Sequence, residues 1–150
     1  MRATRGDFTL TSEPEDMQPE AIHAYLTRSY WAERVPLDVV KRAIVHSICF
    51  GVIHAGRQIA FARVVSDEAT FAYLADVYVL EEFRGRGLST WMMESVMADP
   101  RLQGLRRFCL ATRDAHGLYA RYGFRPPELP QTLMEIRRQG IYQAPATANG

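Results

Sequence analysis

The chain has 150 residues, 47% of them hydrophobic and 23% charged, which implies one domain whose core needs no disulfide or metal support. No apolar run approaches the ~18 residues of a membrane-spanning helix, the N-terminus lacks a signal-peptide pattern, and only Cys49 and Cys109 occur, outside any CxxC or Cys/His cluster; a cytoplasmic protein with no metal site and no membrane attachment is expected. The formal net charge of +1 argues against a strongly basic nucleic-acid binder.

Residues 7–12 (DFTLTS) alternate weakly and predict a short strand. Ile22, Tyr25, Leu26 and Tyr30 fall at helical spacing after Pro19, as do Leu37, Val40, Ile44, Val45 and Ile48 after Pro36, so two amphipathic helices follow. Three β-rich stretches come next, near 48–54, 57–65 and 70–80, separated by Ala-Gly and Ser-Asp-Glu turns. The third is apolar on both faces, as a central strand is. Beyond FRGRGLS, the spacing of Leu88, Trp91, Met92, Ser95 and Val96 predicts a helix that stops at Asp99-Pro100. A strand over 105–111 follows, then a short helix from an Asp114 N-cap to Tyr122 with Gly123 as its stop. A last strand is expected near 132–137, with the domain occupying 1–142 and residues 143–150 forming a disordered tail. The order β-α-α-β-β-β-α-β-α-β predicts an α/β (α+β) fold, a mixed sheet with helices on both faces.

Arg84-Gly85-Arg86-Gly87-Leu88-Ser89 lies between the end of a central strand and the start of a helix. Its glycines let the backbone approach a ligand, and the first amides of the helix are unpaired donors at the positive dipole end, so the turn suits an anion. It is not a Walker A loop, because Gly-Lys-Ser/Thr is missing, and the G-x-G-x-x-G spacing of a dinucleotide fingerprint fails. An ordinary β-to-α turn and an RNA-binding Arg-Gly segment are the competing readings. Charge is also unevenly spread: residues 84–125 hold eight arginines against three acids, a charge of +5, whereas residues 1–83 sum to −4. The later segment is thus suited to an anionic ligand and the earlier one to something cationic.

With the strand end VYVLEEF before RGRGLS and the segment GLYARYGF after it, the stretch from Leu74 to Phe124 resembles the GNAT superfamily of acetyl-CoA-dependent N-acetyltransferases. The likeness is carried by the strand end VYVLEEF, by RGRGLS against the family's Arg/Gln-x-x-Gly-x-Gly/Ala signature, and by GLYARYGF against its Tyr-x-x-x-Gly-Phe segment. Two positions depart from the pattern: Ser89 where Gly or Ala is usual, and Thr112 where Asn is common. The resemblance implies a mostly antiparallel GNAT-like sheet and acetyl-CoA as co-substrate. It implies that the backbone of Val77, Tyr78 and Val79 binds the pantetheine arm, and that Arg84, Gly85, Arg86, Gly87, Leu88, Ser89 and Thr90 cradle the pyrophosphate. Tyr119 matches the tyrosine that protonates the leaving thiolate, with Tyr122 as the fallback.

Acetylation of an amine also requires a proton acceptor. Asp76, an acid inside the apolar run FAYLADVYVL, is the candidate, with a water chain as the alternative. Sequences of the resembled family often carry an acid at this part of the strand, but some carry it at the position of Ala75, on the opposite face; if that face holds the substrate, Asp76 points away and is structural. Glu81 and Glu82 read as solvated turn residues and His116 as structural. The resemblance puts the segment between the first two helices beside the acceptor pocket, where Tyr30, Trp31 and Glu33 suit an amine through cation–π contact and charge; a hydrophobic staple is the competing reading. Cys49 and Cys109 sit in apolar strand patterns and read as core, which favours direct transfer in a ternary complex over a cysteine relay. The expected partner is a small-molecule amine or an exposed amino group, with no nucleic acid, no membrane and a possible homodimer. The alternative function is a non-catalytic acyl-CoA-binding regulatory domain.

Overall fold

The computed structural model describes residues 1–143. Six strands form one sheet in chain order: β1 (Arg2–Arg5), β2 (Phe8–Thr11), β3 (Ile48–His54), β4 (Arg57–Ser66), β5 (Phe71–Val79) and β6 (Arg107–Leu110). The first five pair antiparallel, and β6 pairs parallel to β5 after the crossover through α3 (Leu88–Ala98). The fold is therefore mixed and mostly antiparallel, as expected. Helices α1 (Pro19–Leu26) and α2 (Leu37–Val45) bury Ile22, Leu26 and Val40 against Cys49, Phe61 and Tyr78 on one face. On the other face α3 and α4 (His116–Ala120) cover Phe50, Val52, Ile59, Leu74 and Val79 with Trp91, Met92, Met93, Val96 and Tyr119. Alternation along β3 separates the two cores: Ile48, Phe50 and Val52 turn towards α3 and Cys49 towards α1.

Three details differ from the sequence reading. β1 was not expected: its four residues RATR are all exposed and carry no apolar period, so it is held by its hairpin with β2 across Gly6 (φ +56°). The strand expected near 132–137 does not form. Pro130–Thr132 is a 3₁₀ turn, and Leu133, Met134 and Ile136 stand exposed. The prolines at 126, 127 and 130 remove donors a strand ladder needs. Finally, the N-cap of α4 is Ala115, not Asp114; no side chain caps the helix, and the Ala115 amide donates to Thr112 Oγ1 at 3.0 Å. Of the expected 143–150 tail, residues 144–150 lie outside the described residues.

Two irregularities of β5 create the site. Tyr78 pairs with Phe61 and Ala75 with Arg63, so Ala62 faces both Asp76 and Val77 in a bulge with Asp76 at φ +55°. β6 accompanies β5 only from Phe71↔Arg107 to Leu74↔Leu110. Beyond Leu74 the strands part, and residues 75–79 keep β4 as their one strand neighbour.

Candidate active site

A cleft of about 1150 Å³ occupies the opening between β5 and β6. Val77, Tyr78 and Val79 line its floor, and Arg84, Gly85, Gly87, Leu88 and Ser89 line one end; Arg86 and Thr90 stand outside the lining. The unpaired edge of β5 offers backbone donors and acceptors to any ligand that carries amides. At the loop end, Gly85 (φ +78°) and Gly87 (φ +74°) take left-handed backbone that side chains resist. Gly87 is the N-cap of α3, with no side-chain cap and no acid in the first turn. The first helical bond runs from Trp91 N to Gly87 O, so the amides of Leu88, Ser89 and Thr90 are free at the positive end of an eleven-residue helix. Arg84 steadies this end: its Nε donates to Val79 O at 2.9 Å and its Nη2 to Tyr25 Oη at 3.0 Å. Nearby, Arg28 donates to both oxygens of Glu81 at 2.6 and 3.0 Å, which holds that carboxyl down to about 2.

Tyr119 is 9% exposed, lines the cleft, and packs edge-on against Phe124 at 6.2 Å. Burial, then the proximity of Tyr30 and Asp114, raises its phenol above the ordinary value. Tyr122 and His116 lie outside the lining. Asp76 does reach the cleft: the bulge turns it to the α1–α2 side, where Oδ2 accepts from Arg63 Nε and Oδ1 from Trp31 Nε1, each at 2.8 Å. Tyr78 contributes backbone to the cleft, but its ring stacks on Tyr25 at 4.0 Å in the core, where burial raises its hydroxyl's pKa. Cys49 is buried away from the lining and its thiol is pushed up to about 12 by desolvation, so it supplies no thiolate.

Tyr30 and Trp31 line the mouth of the cleft at 51% and 40% exposure, packed edge-on with centroids 5.1 Å apart. Glu33 is exposed and does not line it. Sequence reasoning missed Arg63, the partner of Asp76; an arginine inside the apolar run IAFARVV was the available signal, because a half-buried guanidinium needs a counter-charge. It also missed Arg113, Glu135, Arg137 and Tyr142, which the loop after β6 and the C-terminal segment bring to the cleft. Arg113 carries no periodic signal, and the alternation over 134–137 does not show which side faces the protein. Among the described residues, no His/Cys/Asp/Glu group could hold a metal ion and no helix is long and apolar enough to cross a membrane.

Residues 45–126 match the acetyltransferase (GNAT) domain family. The curated protein "Putative acetyltransferase FG08082" of Gibberella zeae is 33% identical over an alignment that covers 79% of this chain and 78% of its own. A solved GNAT-family structure from Xanthomonas campestris pv. campestris is 56% identical, covers 91% of this chain and 97% of its own, and superposes with a TM-score of 0.89. A Clostridium acetobutylicum structure solved with acetyl-CoA shares the fold at 13% identity, with a TM-score of 0.59 over 91% of this chain and 96% of its own.

Proposed function

The chain belongs to the GNAT family of acetyltransferases, and we propose that it moves an acetyl group from acetyl-CoA to a primary amine of a small molecule, or to an exposed amino group, by direct transfer in a ternary complex. The observation that carries this reading is the opening between β5 and β6: a strand edge with free backbone groups leads from an uncapped helix N-terminus to a buried tyrosine. Acetyl-CoA fits each part. Its pyrophosphate suits the amides of Leu88, Ser89 and Thr90 behind Gly85 and Gly87, while Arg84 and Arg86 add positive charge. Its pantetheine amides suit the backbone of Val77, Tyr78 and Val79, the last of which shares its carbonyl with Arg84 Nε. When bound, acetyl-CoA supplies an activated thioester and a thiol leaving group.

The amine lone pair attacks the acetyl carbon, the C–N bond forms, and the C–S bond breaks. We assign the proton that the departing thiolate takes to the Tyr119 hydroxyl, which its raised pKa keeps protonated at neutral pH. The proton lost by the amine goes to Asp76 or to a water chain that ends there; Asp76 keeps lone pairs beyond those engaged by Arg63 and Trp31. The π-face of Trp31 attracts the acceptor while it is still an ammonium, Tyr30 packs beside it with Arg113 over its ring, and exposed Glu33 adds negative charge outside the mouth. Direct transfer is supported by the undissociated Cys49 thiol. Both cysteines are free, which suits a reducing cytoplasm. Exposed Met134 and Ile136, together with the unpaired outer edge of β6, suit a homodimer.

Release of free thiol from acetyl-CoA, measured across a panel of amines and peptides, tests the reading. Acetyl-CoA at a hundredfold excess over its dissociation constant is expected to stabilise the fold by ~2.7 kcal/mol. No stabilisation and no thiol above background with any acceptor would overturn it.

A further inference from the structure

Five arginines line the cleft, and three are already engaged: Arg28 by Glu81, Arg63 by Asp76, and Arg84 by Val79 O and Tyr25 Oη. Arg113 differs. Among the described residues it has neither a carboxylate partner nor a hydrogen-bond acceptor, and its Cζ rests 3.8 Å from the ring centroid of Tyr30. Because Tyr30 is 51% exposed, this pair sits at the mouth of the cleft. Stacking occupies the face of a guanidinium and leaves its edge donors free for a planar anion.

The position is specific. Tyr30 packs on Trp31, and Trp31 donates to Asp76 in the middle of β5. Arg113 therefore belongs to the acceptor side, whereas Gly85, Gly87 and Leu88 lie beyond the C-terminal end of that strand. Asp114 and Glu135 line the same cleft, likewise without a cationic partner among the described residues. We propose that Arg113, held on the Tyr30 ring, determines acceptor specificity by binding a carboxylate or phosphate on the same molecule whose amine is acetylated. The acceptor is then zwitterionic, with its ammonium drawn to the unpaired acids and its anion to the guanidinium edge. This inference rests on the acetyl-transfer reading above.

The test measures acetyl-CoA-dependent thiol release with amines supplied as matched pairs. Common α-amino acids are compared with their amides, and 2-aminoethyl phosphate with ethanolamine. The wild type is expected to show a KM about 10- to 100-fold lower for the anionic member of at least one pair, the scale of charge-assisted hydrogen bonds to one guanidinium; the acid and phosphate arms identify which anion is read. Arg113→Gln is expected to erase that difference by raising the anionic KM alone, leaving the KM for acetyl-CoA and the KM for the neutral member unchanged. Arg113→Lys is expected to restore part of it, and Tyr30→Leu to weaken it. Equal KM values within every pair in the wild type overturn the proposal whether or not the variants fold. So does an Arg113→Gln protein that loses neutral and anionic acceptors alike. Thiol release without discrimination removes this inference alone; no release with any of these amines also removes it, and if acetyl-CoA fails to stabilise the fold as well, the transfer reading falls with it.

Discussion

Replacing Tyr119 by Phe isolates the hydroxyl from the ring that carries it. The ring is 9% exposed and meets Phe124 edge-on at 6.2 Å, and Phe preserves both contacts. The hydroxyl has no hydrogen-bond partner among the described residues, so its removal leaves no orphaned group. Stability is expected to stay within about 0.5 kcal/mol, roughly 1–2 °C in Tm for a chain of this size. The rate behaves differently if this hydroxyl protonates the leaving thiolate: kcat falls ~10²- to 10⁴-fold, or about 2.7–5.5 kcal/mol of barrier. The KM for acetyl-CoA stays within about threefold. Because burial raises the phenol above its ordinary value of 10, the wild type keeps this acid protonated past pH 10, and any fall in kcat from its ionisation lies above that. Stopped thiol-release assays with the best acceptor, run from pH 6 to beyond pH 10 beside a thermal melt, separate the two effects. A folded Tyr119→Phe protein that turns over within about threefold of wild type refutes the assignment.

Asp76→Asn keeps a residue type that tolerates the left-handed backbone at φ +55° but strips the counter-charge from Arg63, whose side chain is 19% exposed. Urea denaturation is expected to show a loss of about 2–4 kcal/mol together with reduced turnover; unchanged stability would mean that the ion pair contributes nothing. Gly87→Ala meets no atom within 4 Å of the added Cβ, so its cost of about 1–2 kcal/mol comes from the φ of +74° alone. Acetyl-CoA affinity, read by calorimetry, is expected to fall as the loop relaxes, and wild-type affinity would remove the loop from the binding site. Cys49, with its thiol at about 12, is expected to resist iodoacetamide in the native protein at pH 7 and to react on unfolding. Rapid native labelling at Cys49, checked by peptide mass, would contradict its burial.

The sequence made the frame legible where burial imposes a period. α1, α2 and α3 each begin within a residue or two of the expected start, because Pro19, Pro36 and Gly87 mark the boundary and apolar spacing does the rest. The phosphate-suited turn was legible too, since its glycines stand where a strand must become a helix. β1 was not legible: an exposed hairpin arm has no apolar face, and its pairing depends on a neighbour. The C-terminal segment misled for the opposite reason. Leu133, Met134 and Ile136 look like strand residues, yet they point to solvent while Glu135 and Arg137 line the cleft. Alternation was visible there, but not which side faced the protein. Arg113 and Tyr30 belong to different loops, so their contact exists only after the sheet has placed both.

Asp76 joins these two kinds of outcome. Strict alternation puts it with Ala72 and Leu74, which face α3. One extra residue in β5 reverses the parity: after the bulge Val77 and Val79 face α3, while Asp76 and Tyr78 turn to the α1–α2 side. A left-handed Asp is a tolerable means of inserting that residue, because the short polar side chain can bond locally, and Arg63 with Trp31 holds it there. The bulge also increases local twist. β6, which is four residues long and straightforwardly paired up to Leu74↔Leu110, cannot follow β5 past that point, and the strands separate where the backbone turns. A single local distortion thus accounts for an acid facing the α1–α2 side of the cleft and for a free strand edge facing the proposed acetyl-CoA path. Restoring regular pairing at position 76 would turn the carboxylate away and close the cleft together, which is why an acid in an otherwise apolar central strand is more than a buried charge with a partner.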